Sequence, residues 1–275
     1  MRIDDVRPPH CHARARRLLA EVIQIRDEMG RSEDGRPALD VGGAHPREVY
    51  FAAIATWAKV ERLAGELGVR TARFTHAAPD LRDIRPGDVL AVIDGLLGNV
   101  ELIAQRLHLA ERCAEPPVEQ DRQPSDVLAT LVRVNREVSR ALERPFSPGD
   151  VYGAVAAAAS YAARLGGAAE LAPFERGRRP RDCYERLLAC QTKVAALIAA
   201  RGQVAAVVRG TPADVVPGDV YDLASLVAGE LAFLYSLTPG AHALLALEPT
   251  PQGQRLPADV DQLARTLEAQ LAAIK

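Results

Sequence analysis

Pro217-Gly218-Asp219-Val220-Tyr221 opens a run whose apolar residues fall at Val220, Ala224, Val227, Leu231 and Leu234. Counted from the proline, those are offsets 3, 7, 10, 14 and 17. Alternating steps of four and three mark one buried face of an α-helix, the a/d seam of left-handed helix bundles. The start is equally legible. Proline suits the first helical position, because its φ is already helical and its missing N–H has no partner there. An acid two residues later meets the positive end of the helix dipole and accepts from free N–H groups.

The same start recurs along the chain. It reads Pro46-Arg47-Glu48-Val49-Tyr50, Pro86-Gly87-Asp88-Val89, Pro124-Ser125-Asp126-Val127 and Pro148-Gly149-Asp150-Val151-Tyr152. It returns as Pro180-Arg181-Asp182-Cys183-Tyr184 and Pro257-Ala258-Asp259-Val260, with a degenerate first copy at Pro8-Pro9-His10-Cys11-His12. Ser147 before Pro148 is placed to cap its helix. Nearly every copy is followed by apolar residues at the same offsets. The second breaks once, with Thr56 at offset 10 beside Trp57. The sequence therefore predicts an all-α protein of eight amphipathic helices, each about 30 Å long at 1.5 Å per residue.

Spacing divides the eight. Successive prolines lie 38, 40, 38, 24, 32, 37 and 40 residues apart, and the short step separates the fourth helix from the fifth. Helices two and six share Pro-Arg-acid-x-Tyr and a Lys-Val pair thirteen residues on, Lys59-Val60 and Lys193-Val194. Helices three and seven share Pro-Gly-Asp-Val and a glycine at offset 12, Gly98 and Gly229. The expectation is an internal duplication that gives two tandem antiparallel four-helix bundles, over residues 1–146 and 147–275. The alternative is one continuous helical array or an eight-helix bundle. The Gly/Pro/Asp-rich connections are longer than bundles need, and are expected to pack over the bundle ends.

Composition bounds function. Of 275 residues, 48% are hydrophobic and 25% charged, as in an ordinary soluble globular protein, and only 4% are aromatic. A net charge of −2 gives no field that would draw nucleic acid or acidic lipid. The one local basic cluster, Arg176 to Arg181, reads as a solvated loop before a helix. No apolar stretch is long enough to insert through a membrane, and no leader is visible. Cytoplasmic placement is the default, with the periplasm open if a leader has been removed. The Ala/Arg/Pro-rich, Lys-poor composition leads us to expect a GC-rich genome, and by association a bacterial one.

Motifs for known chemistry do not occur. There is no Glu-x-x-His for a di-iron bundle, no phosphate-binding glycine loop and no nucleophile elbow. Among Cys11, Cys113, Cys183 and Cys190 there is no CxxC pair, and three fall on seam positions as small hydrophobes. His10-Cys11-His12 gathers metal-ligand residue types, but i and i+2 do not share a helix face. No cofactor or metal is expected.

The polar residues that break the pattern are the candidate site. The chain has 31 arginines and three lysines, yet Lys59 and Lys193 stand at matched positions, offset 13. Other helices carry Glu21, Glu137 and Glu230 there. This predicts a mid-bundle polar layer in which Lys59 meets Glu21 or Glu137 and Lys193 meets Glu230, fixing register or holding a small anion. Tyr50 and Tyr184 share offset 4 with Tyr152 and Tyr221, and pack near the helix starts with their hydroxyls bonded to loop backbone.

Function is expected to be non-enzymatic, an interaction or scaffold protein with a protein partner or self-association as a homo-oligomer. A sensor-like module holding a small ligand between helices is the alternative, and an enzyme of unfamiliar type the third. A scaffold should expose a broad apolar or mixed-charge face. A sensor should enclose a pocket lined by residues such as Lys59 or Tyr50. An enzyme should bring perturbed ionisable groups together in a cleft.

Overall fold

The structure, a computed structural model, describes residues 5–33, 35–72, 80–109, 111–143, 146–239, 241 and 254–274. Eight helices form where the prolines predict: α1 (Pro8–Glu28), α2 (Pro46–Glu66), α3 (Pro86–Arg106), α4 (Pro124–Ala141), α5 (Pro148–Arg164), α6 (Pro180–Ala199), α7 (Pro217–Ser236) and α8 (Pro257–Ala273). Two-residue strands, β1 (Val41–Gly42) and β2 (Val207–Val208), are the only other regular elements among the described residues. The chain is all-α.

The motif's acid turns out to be a cap. In α3 the Asp88 carboxylate accepts the Arg85 N–H at 2.8 Å, and in α7 Asp219 accepts the Val216 N–H at 2.9 Å. Glu48 does the same for His45 at 2.6 Å. In α1, which lacks the acid, His10 Nδ1 accepts the Arg7 N–H at 3.0 Å. Ser147 returns the bond in α5, its Oγ accepting the Asp150 N–H at 3.3 Å. The seam is buried as its spacing predicts. Val89, Ile93, Leu96, Val100 and Ile103 of α3 are all sealed from solvent. In α6, Ile198 is buried in place of its neighbour Leu197.

The chain divides into two compact units. Unit 1 comprises residues 1–79 and 83–145, and unit 2 comprises 146–275 with 80–82. In unit 1, α1 and α2 each pack on both α3 and α4, so α1 and α2 take opposite corners of a square. In unit 2, α5 and α6 each pack on α7 and α8 in the same way.

Helix direction differs from the antiparallel expectation. Pro8, Pro46, Pro86 and Pro124 line one shallow hollow, with Cys11, Val49, Val89 and Val127 beneath them. Pro148, Pro180, Pro217 and Pro257 line its counterpart in unit 2. All four helices of each unit therefore start at one end and run parallel. Contacts between neighbours confirm the register. Cys11 Sγ donates to Pro86 O at 3.3 Å, and Cys183 Sγ donates to Pro257 O at 3.3 Å.

The long connections follow from this. A parallel neighbour is reached only by carrying the chain back over the helix's full length, about 30 Å. That takes at least about ten extended residues. The linkers within the units run over residues 29–45, 67–85, 107–123, 165–179, 200–216 and 237–256. Each is long enough. Parallel helices also gather four positive dipole ends at one place, and the capping acids offset that charge.

Candidate interaction surface on the clamped linkers

The described parts of five of these linkers, all but the one between α7 and α8, lie along the helices as straps rather than over the bundle ends. A strap crossing an apolar groove brings backbone N–H and C=O groups that need partners. The buried mid-helix polar residues provide them. Glu21 Oε1 accepts the Cys113 N–H of the α3–α4 strap at 2.9 Å. Asn99, also at offset 13, takes both groups of Ala72 in the α2–α3 strap, accepting from N at 3.1 Å and donating to O at 3.2 Å. Arg136 Nη1 donates to Pro37 O in the α1–α2 strap at 2.8 Å.

Unit 2 uses the same device with different side chains. Glu230 of α7, fully buried, accepts the Ala206 N–H at 3.0 Å, while Gln191 of α6 donates to Ala206 O at 2.6 Å. Thr266 of α8 accepts the Ala172 N–H at 3.0 Å, and Gln262 donates to Ala172 O at 2.7 Å. Arg265 adds a bond to Pro173 O.

The predicted lysine–glutamate layer does not form as expected. Glu137 pairs with Arg26 at 2.5 Å, a buried ion pair between α4 and α1. Glu21 is taken by Cys113 and lies 3.9 Å from Arg17. Lys59 donates to Ser139 Oγ at 2.9 Å. Lys193 pairs with Glu268 of α8 at 3.3 Å, and its side chain is more than one-third exposed. The physical reason is the parallel threading. It lays backbone into the grooves, where desolvated amides claim Glu21 and Glu230, while Arg26 of the neighbouring helix claims Glu137.

Tyr50 and Tyr184 are fully buried near the helix starts. Tyr50 stands edge-on to Phe51 at 6.0 Å, and its hydroxyl has no hydrogen-bond partner among the described residues. Burial, with Asp88 nearby, pushes that phenol up to about 12. The three cluster residues at the start of α1 are separately employed. His10 caps, Cys11 donates to Pro86, and buried His12 is held below the ordinary histidine value by desolvation and by Arg122. Among the described residues, no group of three or more His, Cys, Asp or Glu side chains is placed to hold a metal ion. Burial pushes the Cys11, Cys183 and Cys190 thiols up to about 12. No described helix is long and apolar enough to cross a membrane.

The clamps hold different kinds of side chain to solvent in the two units. Around Ala172, Leu171 is 65% exposed and Phe174 44%. Around Ala206, Val204 is 64% and Val207 55% exposed. The flanks of the clamped Cys113 in unit 1 are the exposed Arg112, Ala114 and Glu115. In unit 1 the apolar strap residues Leu39, Val41 and Ile84 are buried and Val118 is the large apolar strap residue left exposed among those described, at 39%, while unit 2 also buries Val208 and Val215. Sequence reading missed Gln191, Gln262 and Thr266 as strap holders. The signal available was a polar residue flanking the apolar seam on a face that composition alone assigns to water.

No known family model, curated protein or solved structure matches this chain.

Proposed function

We propose that the protein is a non-enzymatic interaction or scaffold module whose second unit binds a protein partner through its straps. One observation carries the reading: unit 2 holds Leu171 and Phe174, and likewise Val204 and Val207, in solvent on backbone fixed from both sides. Large apolar side chains on a free loop relax toward the surface. On a clamped strap they cannot, so the apolar area stays exposed and pre-ordered, which lowers the entropy cost of binding. The ionisable groups support a non-catalytic role. The buried Glu21 and Glu230 accept strap amides, and Glu137 is neutralised by Arg26. The three buried thiols are far from forming thiolates at neutral pH.

A photo-crosslinking residue at position 174 or 204, used in the organism's own cells, tests this. Discrete adducts at those positions and none at exposed Arg70 of a unit 1 strap are expected. Equal labelling at all three would overturn the reading.

We further infer that the two units descend from one four-helix ancestor. The identical corner arrangement and the matched contacts of Cys11 with Pro86 and Cys183 with Pro257 support it.

A further inference from the structure

Charge on the straps points to one partner. On the α5–α6 strap the Glu175 carboxylate is held by Arg178 and by Arg265 at 2.6 Å. Arg176 and Arg179 are exposed, and neither pairs with a carboxylate among the described residues. The strap thus presents two apolar side chains, Leu171 and Phe174, followed by two uncommitted guanidinium groups; of its two exposed acids, Glu175 is held by arginines and Glu170 lies at the far end.

The α3–α4 strap of unit 1 has the complementary character. Its arginines are spent: Arg112 pairs with Glu101 at 2.8 Å, and Arg122 is held by Glu119. Exposed Glu111 has no ion pair among the described residues, and exposed Asp121 lies beside the already committed Arg122. Between them Val118 is 39% exposed. This strap is also fixed, by Glu21 on Cys113 and by Arg14 on Glu115 at 3.0 Å.

We propose that the α5–α6 strap of one chain docks on the α3–α4 strap of a second copy of this chain. This rests on the reading of the unit 2 straps as a protein-binding surface and names the partner. Val118 covers part of Phe174 and Leu171, while Arg176 and Arg179 meet Glu111 and Asp121. Both straps are pre-ordered, so docking adds little ordering cost. Opposite free charges steer the encounter and exclude like-charged surfaces.

Sedimentation equilibrium of the full chain over a wide concentration range tests it. The mass is expected to rise above one chain with concentration, and less so at high salt. Arg176→Glu with Arg179→Glu should weaken association by about tenfold or more, as should Glu111→Arg with Asp121→Arg. An equimolar mixture of the two double variants should associate again, because each supplies the charge the other now needs. Leu171→Ser with Phe174→Ser should abolish association while circular dichroism stays unchanged. A one-chain mass at every concentration would overturn self-docking, yet leave adducts at positions 174 and 204 as a separate test of partner binding. Association that survives all these variants would overturn it equally.

Discussion

The two units share a corner arrangement and a clamping device, and they differ in what the straps do with apolar residues. In unit 1, Leu39, Val41 and Ile84 turn inward and seal the helices, and Val118 is the large apolar strap residue that faces water among those described. In unit 2, Val208 and Val215 turn inward, but four others, Leu171, Phe174, Val204 and Val207, turn outward while the backbone beside them is held. One architecture therefore supports a strap that completes a core and a strap that displays a surface. The choice depends on side chains flanking the clamp, and the helices beneath need not change.

The largest effect should come from crowding a strap's entry. A Cβ on Gly167, where the chain leaves α5, would lie 2.7 Å from Gln270 O and 2.9 Å from Ala162 O. Backbone carbonyls cannot swing aside, so Gly167→Ala should cost about 3 kcal/mol by urea unfolding. Gly95→Ala in unit 1 meets the Trp57 ring at 2.6 Å. The indole can shift, so about 2 kcal/mol is expected. Equal costs would remove this distinction.

The sharpest comparison is between strap residues themselves. Leu39→Ala should destabilise by about 2–3 kcal/mol, because it empties a buried site. Leu171→Ala should stay within about 0.5 kcal/mol, as surface changes do. A large loss at Leu171 would mean that its exposure is not that of the protein in solution.

Clamp removal comes next. Glu230→Ala leaves the buried Ala206 N–H without its acceptor and should cost about 2 kcal/mol. Glu21→Ala should cost about 1 kcal/mol, since Cys113 is only half-buried and water can replace the carboxylate. Hydrogen exchange at Ala206 should quicken more than at Cys113. Glu230→Gln keeps an acceptor and should recover most of the loss.

The smallest effects are those of the thiols. In native protein Cys113 should be the cysteine that reacts with a thiol reagent, while Cys11, Cys183 and Cys190 wait for unfolding. Their folded values lie near 12, above the ordinary 9. A raised value favours the protonated, folded form. That contribution is complete below about pH 9 and is lost as pH rises toward 12. Cys183→Ala with Cys190→Ala should flatten the alkaline decline of unit 2. An unchanged alkaline profile would contradict the thiols' burial.

Much of the fold was legible from short stretches. Pro-x-Asp marks the helix starts because capping involves residues only three apart, as between Val216 and Asp219. The offsets mark the buried face because helical geometry repeats every few residues. Ser147 was readable as a cap for the same reason. The candidate site was less legible. Glu21 and Glu230 stood out as polar residues flanking a seam, but their partners, Cys113 and Ala206, lie in linkers whose path the sequence does not state. Lys59 and Lys193 matched in sequence and proved unlike in surroundings, one bonded to Ser139 and the other to Glu268.

By itself the sequence determined eight helices, where each begins and which face each buries, since those depend on local capping and periodicity. The tertiary structure alone decided that the helices run parallel, because an a/d seam looks the same whichever way its neighbour points. It also decided where the straps lie, which glutamates hold them, and which strap side chains face water. Those outcomes depend on contacts between residues up to about a hundred positions apart, such as Arg136 with Pro37, and no local pattern encodes them.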